Sequence, residues 1–210
     1  MKVKILSVIL IVAGLMMLCY PKLTEMSQNA QQNKLAEQWQ MTFQNIGNQD
    51  DRTVSDEQQK GDSPISQVKP VSAVSPDPLG KVEGMLEIDK IDLKLPILHG
   101  ASKENMKTTL ASIENTSKPG EVGNYAIAGH RNRTYGRNFN RLDELAIGDK
   151  IDVDTGNQKF EYAVTEKLIV KPEDVWVLEG NGKDEEITLV TCHPMVNPTH
   201  RLIIKGKIIH

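Results

Sequence analysis

Three side chains able to do covalent chemistry stand at the ends of three apolar runs. Cys192 closes Ile187-Thr188-Leu189-Val190-Thr191-Cys192, His130 closes Tyr125-Ala126-Ile127-Ala128-Gly129-His130, and Arg201 opens Arg201-Leu202-Ile203-Ile204. Runs of this composition read as strands, which fix their terminal residues more rigidly than loops do. A thiol attacks a carbonyl carbon only as thiolate, and an unperturbed cysteine, with a pKa near ~8.5, is a few per cent ionised at neutral pH. An imidazolium beside it favours the thiolate, and the same group can protonate a leaving amine. The resulting tetrahedral oxyanion needs a donor, and a guanidinium offers permanent charge and a fork of N–H groups. Thr191, next to the thiol, supplies a hydroxyl for orienting substrate or neighbours. No carboxylate stands in an obvious orienting position, so the set reads as Cys–His–Arg.

Each residue also has a plainer reading. A cysteine at a strand end can be a small buried hydrophobe, a histidine after Gly129 a turn residue, and Arg201 an edge charge. His99, His193, His200 and His210 compete for the role of base. His193 and His200 are weakened because neighbouring strand residues face opposite sides, and His210 ends the chain. A metal site built from Cys192, His193, His130 and His200 lacks paired-ligand spacing. Residue spacing alone leaves catalysis and structure both open.

The elements that must position these residues follow from the rest of the chain. Its 210 residues carry a formal net charge of -3 and 4% aromatic residues, which gives no footprint for nucleic acid. Cys19 and Cys192 lie in segments of different character, so a disulfide between them is not expected. Lys2 and Lys4 precede an uncharged apolar run from Ile5 to Tyr20. Bulky Met16, Met17 and Leu18 argue against signal-peptide cleavage after it, so residues 1–20 read as a single-pass anchor with its N-terminus inside and the body outside. Residues 21–79, rich in Gln, Asn, Ser and Asp, read as a polar flexible linker that holds the folded part off the bilayer, with a short amphipathic helix allowed at 35–43. Residues 80–210 hold one core. Strands are expected at 84–88, 93–98, 124–128, 150–153, 160–170, 187–191 and 201–208, with Pro96 marking an edge. Ser102 caps a short helix, a helical turn lies at 140–145, and Asp154-Thr155-Gly156-Asn157 makes a hairpin turn. Seven or eight strands with short helices predict an all-β closed barrel.

Thr188-Leu189-Val190-Thr191-Cys192 resembles the TLxTC signature of sortases, the cysteine transpeptidases of Gram-positive cell envelopes. Ala128-Gly129-His130-Arg131 resembles the segment holding their catalytic histidine, and Arg201 matches their essential arginine. The stretch from Ala128 through Leu142, with Cys192-His193-Pro194 and Thr199-His200-Arg201, is most similar to class D, with class A as the alternative. The resemblance implies an eight-stranded sortase barrel. It implies cleavage of an LPxTG-like sorting signal after its threonine, a thioacyl-enzyme on Cys192, and transfer to a peptidoglycan precursor amine. His130 would be acid and then base, Arg201 would hold the oxyanion or the threonine region, and Thr191, Ala128 and Gly129 would line the peptide. No cofactor is expected, though calcium, used by some class A members, could find acids in Glu173, Asp174, Asp184, Glu185 and Glu186. The alternatives are a secreted hydrolytic cysteine protease and a non-enzymatic envelope protein that binds a partner.

Overall fold

Along residues 185–193 the middle of the segment is covered on both faces, and toward its end buried and half-buried side chains alternate. Ile187 and Leu189 are fully buried, whereas Val190 and Cys192 are only half-buried. A period of two demands a sheet with one covered face. The computed structural model describes residues 2–47 and 82–209. Its strands are β1 (Val82–Ile88), β2 (Leu93–Leu98), β3 (Leu110–Ser112), β4 (Gly123–Ala128), β5 (Lys150–Asp154), β6 (Lys159–Val170), β7 (Glu185–His193) and β8 (His200–Ile208). They close into a barrel in the order β1-β2-β3-β4-β7-β8-β6-β5. Leu86, Ile97, Leu110, Ile127, Phe139, Ile151, Tyr162 and Ile187 fill its interior. Full burial of each aliphatic side chain contributes about 1.5–3 kcal/mol.

Two pairings set the site. β4 runs parallel to β7, with Ala128 level with Val190, and β7 runs antiparallel to β8, with Cys192 level with Arg201. Because closure leaves no free edge, Pro96 is not on one: β2 pairs with β1 throughout and with β3 from Ile97 onward. The missing proline N–H falls just before the β3 pairing begins. The 102-capped helix forms as α2 (Lys103–Thr108), with Ser102 Oγ accepting from Asn105 N at 3.2 Å. The expected helical turn is a 3-10 turn at Leu142–Glu144.

The N-terminal segment departs from the expected linker. A single helix, α1, spans Lys2–Gly47 and runs through Pro21. Its first half is apolar and exposed, with Leu10, Leu15, Met17 and Leu18 open to the surroundings. By length and composition it is able to cross a membrane. Its second half does not hang free. Gln32, Leu35 and Trp39 are buried, and α1 packs on α2 and β2. The face that docks is Glu25, Gln28, Gln32, Leu35 and Trp39, a three–four spacing that puts all five on one side of a helix. Residues 21–47 are therefore helix with a docked face, because burial of Leu35 and Trp39 contributes to a contact that low overall hydropathy concealed. The remainder of the expected linker, 48–79, lies outside the described residues.

Candidate active site

The row of three reactive groups follows from strand parity. Tyr125 and Ile127 of β4, Ile187 and Leu189 of β7, and Leu202 and Ile204 of β8 all belong to the core. Ala128 and His130, Cys192, and Arg201 have the opposite parity and so face outward. The β4–β7 register, continued two residues past Ala128–Val190, brings His130 level with Cys192. Cys192 in turn stands opposite Arg201. His130, Cys192 and Arg201 thus lie side by side on the outer face of three neighbouring strands, with the thiol in the middle.

Inward-facing neighbours hold this row. Thr191 is buried and its hydroxyl donates to the Gly129 carbonyl at 2.8 Å, while Gly129 N donates to the Val190 carbonyl at 3.1 Å. In this structure Thr191 orients the histidine strand rather than facing the groove. Gly129 is a packing residue: a Cβ there would come within 2.5 Å of Phe139 Cδ2 and 2.6 Å of Leu110 Cδ2. Ala128 is half-buried on the outer face beside the row.

The two basic groups of the row stand in different surroundings. His130 is exposed, and its pKa lies below the usual imidazole range, first because packing strips away part of its hydration and second because the Arg137 cation is near. Arg201 is half-buried, and NH1 donates to the His200 carbonyl at 3.0 Å. Among the described residues it forms no ion pair with a carboxylate, so its charge is available to a developing anion. Arg131, the neighbouring alternative, differs. Its side chain is 5% exposed, paired to Asp143 at 2.7 Å and bonded to His193 Nδ1 at 3.0 Å.

That Arg131–His193–Asp143 cluster escaped sequence reasoning. Parity correctly sends His193 to the face opposite Cys192, but it is there that the loop after His130 meets the loop after Cys192. Asn140 adds a second tie, donating to the Asn132 carbonyl at 2.6 Å and reaching Met195 Sδ at 3.8 Å. The adjacency of Arg131 to His130 was the one available signal. The other histidines are occupied elsewhere: His99 is hydrogen-bonded to Glu83, and His200 Nδ1 to Thr199 at 2.8 Å.

The acids considered for calcium do not converge. Asp184 pairs with Lys207, Asp174 accepts from Lys171 N, and Glu186 accepts from Asn181. Among the described residues no group of three His, Cys, Asp or Glu side chains is placed to hold a metal ion. A cavity of about 560 Å³ between the Ser112–Glu121 segment and Phe160 is not lined by the row. The row instead opens on the barrel surface, where an extended chain can lie across the strand ends.

The closed barrel thus carries a thiol, an imidazole and a guanidinium without a carboxylate partner among the described residues on adjacent strand ends, groups of the kind nucleophilic acyl chemistry uses. Residues 86–209 match the family model described as the sortase domain, and the chain belongs to that family. It is 34% identical over 129 residues to sortase A of Bacillus anthracis, covering 61% of this chain and 60% of that protein. It is 30% identical over 131 residues to sortase D of Bacillus subtilis, covering 61% of this chain and 64% of that protein. The chain thus spans somewhat under two thirds of these two relatives. The match to sortase A of Listeria monocytogenes, at 25% identity, covers 98% of this chain and 90% of that protein. Among solved structures, a Clostridium perfringens sortase D5 transpeptidase superposes with a TM-score of 0.58 at 34% identity, over 62% of this chain and 81% of that one.

Proposed function

We propose that the protein is a membrane-attached cysteine transpeptidase, with its barrel on the outer side of the cell membrane, acting on an LPxTG-like sorting signal. The observation that carries this reading is the His130–Cys192–Arg201 row with its unpaired guanidinium. The Cys192 thiolate adds to the threonine carbonyl, and the oxyanion forms within reach of Arg201. Collapse breaks the C–N bond as His130 delivers a proton to the leaving amine, leaving a thioester on Cys192. A peptidoglycan precursor amine then adds to the thioester and gives its proton to His130. The C–S bond breaks, the thiolate returns, and the protein is joined to the wall by an amide. Class D is the preferred assignment, with class A next.

The test is incubation of the full chain with LPxTG, LPxTA and NPxTx peptides plus triglycine or hydroxylamine. An amine adduct supports transpeptidation, while hydrolysis without adduct makes the protein a protease. Cys192→Ala should abolish cleavage and leave the melting curve in place, since alanine fits a site that held a thiol. Cleavage by that variant, or failure of the thiol to react with an alkylating probe, removes the enzyme assignment.

A further inference from the structure

The loop after His130 is closed by its own last residues. Phe139 N donates back to the His130 carbonyl at 3.1 Å, and Arg131 and Asn138 form an isolated antiparallel bridge. Between these closures Arg137 and Asn138 are buried, although residues 133–136 of the same loop are exposed. A buried guanidinium and a buried carboxamide require partners. These come from α1, more than a hundred residues away in sequence. Gln32 Nε2 donates to Asn138 Oδ1 at 2.7 Å, Arg137 donates to Gln28 Oε1, and Arg137 NH1 stands 3.7 Å from Glu25 Oε1. Thr134 is hydrogen-bonded to the same Glu25.

We infer that the second half of α1 is a working part of the active site: Glu25, Gln28 and Gln32 grip Arg137 and Asn138, fix the loop that closes on His130, and so position the imidazole against Cys192. This rests on the transpeptidase reading above. Three features support it. The gripping residues are polar, whereas a helix that only covered apolar surface would need none of them. The gripped residues adjoin the closure onto His130 rather than the loop's free tip. Finally, the Arg137 cation is near enough to bear on the imidazole's protonation, so a displaced Arg137 also changes the ring's surroundings.

Arg137 and the three α1 residues are positioning residues, because they act through His130. The grip starts at Glu25, five residues past the apolar run that ends at Tyr20, or about 7.5 Å along a helix. The attachment of the chain and the geometry of its site are then one mechanical unit.

The experiment uses the full chain in phosphatidylcholine nanodiscs, with turnover of an LPxTG peptide and hydrogen exchange of the 131–139 amides as readouts. Gln28→Met with Gln32→Met keeps side-chain volume and helix propensity but removes both amides. It should accelerate exchange in 131–139 while leaving β6 and β8 protected. Turnover should fall roughly tenfold or more, as a misplaced catalytic group does. KM should stay within about threefold, since peptide contacts are untouched. Gln28→Glu alone keeps an acceptor for Arg137 and should retain wild-type turnover. The inference is overturned if the double variant keeps wild-type turnover, if exchange rises uniformly over the barrel, or if KM absorbs the whole loss. Cys192→Ala in the same nanodiscs separates the two ideas: residual cleavage there sinks the transpeptidase reading, whereas a fully active double variant sinks only the grip.

Discussion

Removing the Arg201 charge should separate catalysis from folding. The guanidinium has one hydrogen bond, to the His200 carbonyl at 3.0 Å, and no carboxylate partner among the described residues. A hydrogen bond from a charged group contributes about 1.5–3 kcal/mol net, the lower end applying to a half-exposed side chain such as this one. At roughly 2–4 °C per kcal/mol for a chain of this size, Arg201→Ala should lower the melting temperature by only a few degrees. The loss in the transition state is larger. A well-placed oxyanion donor is worth about 2.7–4 kcal/mol, or roughly 10²–10³ in rate. Arg201→Lys keeps the charge and loses the planar fork, so it should fall with alanine rather than with the wild type. Both variants should therefore lose at least a hundredfold in kcat with a fluorogenic sorting peptide, with KM changing much less. The decisive comparison is turnover against melting temperature in the same preparation. Near-normal turnover in Arg201→Ala would show that the oxyanion has another partner. Arg131 is poorly placed to be that partner, since its side chain is buried and paired with Asp143.

Gly129→Ala pushes a methyl into the fully buried Phe139 and Leu110, and should cost about 1–3 kcal/mol by overpacking; chemical denaturation measures it, and an unchanged midpoint would mean the neighbours yield freely. Thr191→Val keeps the shape but leaves the Gly129 carbonyl without its side-chain donor, so it should lose about 1–3 kcal/mol and some turnover through the displaced His130 strand; wild-type stability would show that another donor replaces it. Because His130 must carry the proton it delivers, its lowered pKa brings the basic limb of kcat/KM, where the imidazolium is lost, to lower pH than an ordinary histidine would give. In linkage terms the unfolded chain binds this proton more readily, so the stability contributed by neutral His130 is complete above ~6.5 and is lost as pH falls through that value. Proton titration of the ring by NMR checks the sign, and a value above 6.5 contradicts it.

The residues that were legible in the sequence are those whose information is local. Apolar runs mark β7 and β8 in the chain itself, and the reactive side chains fall at the ends of those runs. Thr191, expected to line the peptide, instead has the parity opposite to Cys192 and donates its hydroxyl to the Gly129 carbonyl. β3, only Leu110–Ser112, is too short to show a period, so it emerges only when its neighbours pair with it. Pro96 misled because the edge rule concerns a missing N–H, and a strand in a closed barrel can place that gap just outside a short pairing.

The α1 docking face was hidden for a different reason. Its three–four spacing is as regular as that of any amphipathic helix, but three of its five positions are Glu25, Gln28 and Gln32, which a hydropathy reading counts as solvent-facing. Their partners are polar as well, Arg137 and Asn138, in a loop whose own exposed residues look like surface. A polar interface carries no hydrophobic signature on either side, so only the folded chain brings its two halves together. That same loop closes on His130, and its far side meets the loop after Cys192 through Arg131 and His193. His130 is consequently held from two directions. Strand β4 leads into it along the barrel, and α1 grips the loop whose Phe139 N–H closes on its carbonyl. A reading confined to the three reactive side chains sees the chemistry of the site without the helix that keeps it in register.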